Sequence, residues 1–298
     1  MNDNMHYNGP IVRPPTDAYS LMLEVTVGCT HNQCRFCNFY QGYPFKMTPL
    51  SQIEEDLIEV SRIRPDLKEV WAAGGNPYAL SVSRLEKIAL LIRKYLPQAR
   101  ISTYARVTDL MNKSVDDLRY LKQLGFEDLL IGIESGDDDA LTFMNKGYLS
   151  HDILQQLKKL EEADVDYRVI YLGGIAGKGK CKESAIKTAK LLNQLHPYMI
   201  FLTTVAILPD TPLKQDIEKG LFEEPGELER IEELKTLVEH LENEIYVYAR
   251  SVSSAVDFTG CLPKDKETIL NYLKDVIDHF NENDELKVKQ RRKQLKSV

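Results

Sequence analysis

The sequence predicts an α/β fold built on a parallel sheet, and three observations carry that expectation. Between about residues 20 and 205, apolar runs of five to eight residues alternate with longer amphipathic stretches. The amphipathic stretches place Glu86, Ile88, Leu91, Ile92 and Tyr95, or Ile153, Leu154, Leu157 and Leu160, at the three-to-four spacing of a helix laid on a sheet. The distinctive segments (clustered cysteines, glycine pairs, a lone acid) all fall just after an apolar run, at the edge where parallel α/β folds bind ligands.

In chain order, buried strands are expected at residues 21–27, 69–73, 99–104, 128–133, 167–172 and 199–205. Helices are expected between them at 52–63, 83–96, 114–124, 152–163 and 182–195. Strand–helix repetition of this kind implies right-handed crossovers, in an open doubly wound sheet or a curved, barrel-like one. Beyond residue 213 the pattern changes. Leu228, Ile231, Leu234, Leu237, Val238, Leu241 and Ile245 share one face of a long helix over 226–246. A strand-like run at 246–251, a turn or loop at 259–263 and a helix near 266–281 follow. The expected organisation is an N-terminal extension (1–19), a core (20–213) and a helical C-terminal extension with a basic tail (214–298).

At 298 residues and 43% hydrophobic content the chain can bury a substantial core. No stretch reaches the roughly 18 apolar residues of a membrane helix, and the N-terminus has no signal-peptide core. A soluble, cytoplasmic protein of a reducing compartment is expected. The net charge is −7, but the last twelve residues hold Lys287, Lys289, Arg291, Arg292, Lys293 and Lys296 and no acid. That leaves 32 basic against 45 acidic residues in the rest, so the body offers no general field for nucleic acid. Only the tail could touch phosphate, and it is expected to be solvated and frayed.

Cys29, Cys34 and Cys37 stand within nine residues; only Cys181 and Cys261 occur elsewhere. Three thiols on one short loop cannot all pair with each other, and clustered thiols in a reducing compartment read as soft-metal ligands. Three ligands leave one coordination position open. Gly74, Gly75, Asn76 and Pro77 follow the second strand, Arg106 the third, and Glu134 ends the fourth. Glycines allow close backbone approach to a ligand. An acid ending an apolar strand needs a partner, and vicinal ribose hydroxyls would fit.

These residues and their order resemble the radical S-adenosylmethionine superfamily. The likeness is closest to the core shared by tRNA methylthiotransferases, the catalytic subunit of Elongator and oxygen-independent coproporphyrinogen oxidase. The resemblance implies a partial (β/α)6 TIM-like barrel and a [4Fe–4S] cluster on Cys29, Cys34 and Cys37. It further implies that S-adenosylmethionine chelates the remaining iron and is cleaved to a 5′-deoxyadenosyl radical that abstracts hydrogen from a substrate. Such enzymes work anaerobically with an electron donor of the flavodoxin or ferredoxin type. Phe36 matches the family's aromatic over the adenine. Gly74, Gly75 and Asn76 occupy its Gly-Gly-Glu position, where Asn76 could accept a hydrogen bond from the methionine ammonium. Glu134 would hold the ribose. Lys146 is a candidate for the methionine carboxylate, with Arg106 and Arg168 as further candidates for the cofactor. The C-x4-C-x2-C spacing has one residue more than the commonest family form. A small-molecule substrate is expected, with nucleic acid left open, and Arg13, Tyr104, Arg106, Tyr171 and Asp210 as its candidate contacts. The 226–246 helix is expected to close part of the barrel's lateral opening.

Two other readings fit parts of the pattern. Residues 174–181 match a nucleotide-binding P-loop except that Cys181 replaces the Mg²⁺-binding Ser or Thr. His31, inside the cysteine loop, would complete a Cys3His zinc site in a metal-stabilised interaction module.

Overall fold

The computed structural model describes residues 5–295 and divides the chain into two compact units. The first takes in the chain up to Asn32, Phe39–Ile131 and Lys158–Tyr167; the second has Gln33–Asn38, Gly132–Leu157 and the chain from Arg168 onward. Ten strands and eleven α-helices are found among the described residues. Eight strands form one mostly parallel sheet in the order β1-β4-β5-β6-β7-β8-β9-β10, and β2 and β3 pair separately.

In the first unit, β1 (Leu21–Glu24), β4 (Glu69–Ala73), β5 (Arg100–Ala105) and the start of β6 (Phe126–Glu134) run parallel. Leu21 pairs with Val70, Glu69 with Arg100 and Tyr104 with Leu130. Leu23, Val70, Trp71, Ile101 and Leu129 are fully buried, which is why these runs read as continuous apolar sequence. The crossovers are α1 (Leu50–Ile63), α2 (Val82–Tyr95), α3 (Val107–Met111) and α4 (Val115–Gln123). Ser81 caps α2 by accepting the Arg84 N–H, and Leu85, Ile88, Ala89 and Ile92 turn inward. The short β2 (Thr26–Val27) and β3 (Lys46–Met47) form an antiparallel pair that frames the cysteine loop in sequence. The N-terminal extension is tied to β1: buried Glu24 accepts bonds from Asn8 N (2.7 Å), Asn8 Nδ2 (2.8 Å) and Gly9 N (3.1 Å).

The chain passes between the units within β6, α6 (Ser150–Glu162) and β7 (Asp166–Gly173). The second unit also holds α5 (Asp138–Phe143), α7 (Cys181–Leu192), β8 (Met199–Thr204), α8 (Pro212–Glu218), α9 (Glu227–His240), β9 (Ile245–Ala249), β10 (Phe258–Leu262), α10 (Lys266–His279) and α11 (Glu282–Lys293). β8 pairs parallel to both β7 and β9, and β10 closes the edge antiparallel to β9.

Five of the six expected strands are found as single strands, while the one expected at 21–27 is split into β1 and β2, which pair in different sheets. The C-terminal part differs from expectation in three ways. The long helix stops at His240, and residues 245–249 enter the sheet as β9. Residues 259–263, expected as a turn, supply most of β10. Gly260 lets α10 approach this strand closely: a Cβ there would lie 2.8 Å from Ile269 Cδ1 and 3.0 Å from Asp265 Cβ. Helix α9 packs on α7. The basic tail is ordered as α11, with Arg292 buried; Lys296 lies outside the described residues.

Candidate functional site

In the first unit the site begins where β2 ends. Gly28 has φ +76°, and a Cβ there would sit 2.5 Å from Tyr43 O. Cys29 follows, half-buried. The glycine pair after β4 packs directly on this stretch. A Cβ on Gly74 would lie 2.1 Å from Thr26 Oγ1, and one on Gly75 would lie 2.0 Å from Gly28 O and 2.8 Å from Cys29 Cα. Gly74 O accepts the Tyr40 hydroxyl at 2.7 Å. The close backbone approach expected at a ligand is therefore made to the base of the cysteine loop.

Asn76 extends the same contact. Its Oδ1, expected to be available to an ammonium, accepts the Thr30 N–H at 2.9 Å. Its Nδ2 donates to Thr30 Oγ1 at 2.7 Å and to both Asp109 carboxylate oxygens at 2.9 Å. Asp109 also accepts the Arg106 N–H at 2.8 Å. Burial raises the Asp109 pKa, opposed by the Arg106 N–H and the Asn76 amide. Arg106 lies at the N-terminus of α3 with its guanidinium on Thr108 Oγ1. Lys113 Nζ donates to Tyr78 O and Asp109 O, and burial pulls its pKa down to about 8. A cavity of about 530 Å³ beside this network is lined in part by Thr30, Ser81, Asp109, Asn112 and Lys113. Asp109 and Thr30 carried no functional expectation. Their only sequence signal is the helix start at Arg106, three residues before an acid.

In the second unit, Cys34 and Cys37 bracket a turn closed by Cys37 N–H to Cys34 O at 3.2 Å. Arg35 anchors that turn through both backbone groups, its N–H to Met144 O (3.0 Å) and its C=O from Leu213 N–H (2.9 Å). Its guanidinium binds Asp216 at 2.7 Å and lies over Phe143. Asn145 Nδ2 donates to Gln33 O and Asn38 Nδ2 to Pro209 O. Phe36 packs on the apolar cluster of Met144, Leu172, Ile175, Val205 and Leu213. None of the five cysteines is in a disulfide.

Glu134 ends β6 at φ +63°, a conformation an L-residue other than glycine adopts at a cost. Its Oε1 lies 3.0 Å from Lys146 Nζ, which stands 5.6 Å from the Phe36 ring centroid and 5.3 Å from that of Tyr148. Glu134, Lys146 and Phe36 are thus brought together. Arg168 is not brought to them. It is the third residue of β7, over Tyr198 and Phe201, about 16 Å of strand before Gly173.

Among the proposed substrate contacts, Tyr171 faces the helices: its hydroxyl donates to Glu233 Oε1 on α9 at 2.6 Å. Arg13 is occupied by the carbonyls of Asp17, Ala18 and Ser20. Tyr104 packs against Trp71 with the rings tilted at 46°, and Asp210 sits at φ +60° after β8.

The P-loop reading fails on the same geometry. The glycine-rich loop after β7 has its donors filled by the protein's own acceptors: Gly174 N–H by Glu233, Lys178 N–H by Glu223 O, and Gly179 N–H by Glu229. Anionic side chains stand where a nucleotide's phosphates would need to bind. Burial pushes the Cys181 thiol up, leaving it an inert packed group.

Among the described residues, no helix is long and apolar enough to cross a membrane. The family model described as "Radical SAM superfamily" matches residues 23–192. The chain is 25% identical over 223 residues to the heme chaperone HemW of Bacillus subtilis (strain 168), covering 72% of this chain and 58% of that protein. It is 26% identical over 243 residues to the tRNA-2-methylthio-N(6)-dimethylallyladenosine synthase of Syntrophus aciditrophicus (strain SB), covering 78% and 50%. It therefore spans less than two thirds of the length of either curated relative. Among solved structures, coproporphyrinogen III oxidase (HemN) from Escherichia coli, a radical SAM enzyme by its description, superposes with a TM-score of 0.59 at 18% identity, over 74% of this chain and 51% of that one.

Proposed function

From the premise that this chain belongs to the Radical SAM superfamily, and is an enzyme, we propose that it holds a [4Fe–4S] cluster on Cys29, Cys34 and Cys37 and uses S-adenosylmethionine against a small-molecule substrate. The observation that carries the reading is the cysteine loop itself: three reduced, partly exposed thiols within nine residues, held at both ends by structure. Thiolates are the ligands iron–sulfur clusters take, so the donor set fits the group. When bound, cluster and nucleotide together supply a reductive S–C5′ cleavage and a carbon radical for hydrogen abstraction.

The chain's own residues bind and orient. Gly74 and Gly75 support the start of the loop, and Arg35 supports its end. Phe36 offers an apolar ring to the adenine. Glu134, 3.0 Å from Lys146, would serve the ribose hydroxyls, and Lys146 the methionine carboxylate. In this reading Asn76 supports the loop, Arg106 stays at the start of α3, and Arg168 takes no part. The electron donor would be a small redox protein of the flavodoxin or ferredoxin type, and the setting cytoplasmic and anaerobic.

The test is anaerobic reconstitution with iron and sulfide, followed by visible absorption, metal analysis and assay of 5′-deoxyadenosine after dithionite reduction. We expect a brown protein that cleaves S-adenosylmethionine, with both properties lost in Cys34→Ala and kept in Cys261→Ala. Production of 5′-deoxyadenosine by Cys34→Ala would falsify the assignment.

A further inference from the structure

We propose that Asp109 is a positioning residue for the cysteine loop, acting on Thr30 through the side-chain amide of Asn76. The inference deepens the cluster reading and rests on it. The geometry fixes the Asn76 amide in one orientation. Thr30 N–H is a donor, so the atom 2.9 Å from it must be Oδ1. Asp109 is a carboxylate held by the Arg106 N–H, so the atom 2.9 Å from both its oxygens must be Nδ2. A flipped amide would set N–H against N–H and oxygen against carboxylate. Asn76 is 1% exposed and Asp109 6% exposed, so water has little access to the bonds between these two side chains.

The consequence reaches the cysteine next in the chain. Thr30 is pinned at both its N–H and its hydroxyl, and Gly75 leaves no room for Cys29 Cα to retreat. The position that would be acidic in the family the chain resembles holds an amide here. The negative charge stands one contact further out, on α3. Residues 76 and 109 therefore work as a pair, with the charge on one and the amide on the other.

An isosteric exchange tests this. Asn76→Asp sets two carboxylates face to face, Asp109→Asn sets two amides face to face, and Asn76→Asp/Asp109→Asn restores one of each. Each protein would be reconstituted anaerobically with iron and sulfide. Iron content, the midpoint potential from electron paramagnetic resonance titration, and S-adenosylmethionine binding by calorimetry would then be read. We expect Asn76→Asp to hold less than a third of the wild-type iron. Asp109→Asn should load iron but show a more positive midpoint potential and at least tenfold weaker S-adenosylmethionine binding. The double variant should return to within about threefold of wild type in both iron and affinity. A purely structural role would move melting temperature in these variants without moving the potential. Asn76→Asp loading like wild type, or a double variant no better than Asn76→Asp, would overturn the proposal. Wild-type protein that takes up no iron would instead sink the cluster reading, and this proposal with it.

Discussion

Lys146 Nζ and Glu134 Oε1 stand 3.0 Å apart with side chains 5% and 10% exposed, so two residues given separate ligands in the sequence form one buried ion pair. A buried pair offsets its desolvation only while both members are present. Lys146→Met should therefore cost about 3–5 kcal/mol by stranding the Glu134 carboxylate. Lys146→Met/Glu134→Gln should recover most of that loss. Urea unfolding of the metal-free proteins measures both; equal stability of the two variants would show that the pair is not coupled.

Gly75 offers a purely steric prediction. A methyl group there would meet Gly28 O at 2.0 Å and Cys29 Cα at 2.8 Å, and both are backbone atoms with no side-chain freedom to yield. Gly75→Ala should cost about 3 kcal/mol, the upper end for overpacking, and should lower iron uptake because Cys29 must move. Gly42, at φ +81° with nothing within 4 Å, is the control. Gly42→Ala should cost only about 1 kcal/mol of backbone strain and leave iron uptake unchanged. Melting temperature and iron content separate the two effects.

These contrasts show where sequence reading works and where it stops. The six core strands were legible because each is buried on both faces and so is a continuous apolar run. β10 was not, because Gly260 and Pro263 imitate a turn, although Gly260 lies in the strand, close against Ile269. Helix α11 was hidden because charge holds it and no apolar stripe marks it. At the site, the residue types and their strand-end positions were legible, but their partners were not. Asn76 meets Thr30 across 46 residues of chain and Asp109 across 33, and no spacing rule reports such contacts. Strand alternation says that Tyr171 and Leu172 face opposite ways. It does not say which faces the helices, and Tyr171 does, against Glu233.

Glu233 makes stability depend on pH. Fully buried, it has its pKa raised to about 7 by desolvation, with the Tyr171 hydroxyl and Gly174 N–H opposing the rise. The ordinary value is 4.5. A raised carboxyl means that the native state keeps a proton the unfolded chain has released. This contribution is fully present below pH 4.5, falls as pH rises toward 7, and is absent above that. The loss across the window should be about 3 kcal/mol. Glu233→Gln cannot ionise and should flatten that part of the profile, as thermal melts of the metal-free protein from pH 4 to pH 8 would report. An unchanged slope in the variant would assign the dependence to another group.

Arg292 turns the basic tail from a solvated end into part of the core. Its Nε and Nη2 bind the two oxygens of Glu227 at 2.8 and 2.7 Å, both side chains being under 5% exposed. Helix α9 begins at Gly226, which has no side chain to cap it, and Glu285 of α11 accepts the N–H groups of Glu227 and Leu228 in its place. Removing the arginine leaves Glu227 buried with Arg230 Nε no nearer than 4.0 Å. Arg292→Ala should therefore cost about 3–5 kcal/mol. Lys287→Ala and Lys289→Ala, on the exposed face, should stay within about 0.5 kcal/mol of the parent. Because the pair is shielded from water, its contribution should persist in high salt, where an exposed tail's electrostatics would fade. Denaturant midpoints at low and high ionic strength test this directly: a tail that only decorates the surface would give the same midpoint for Arg292→Ala as for the lysine variants.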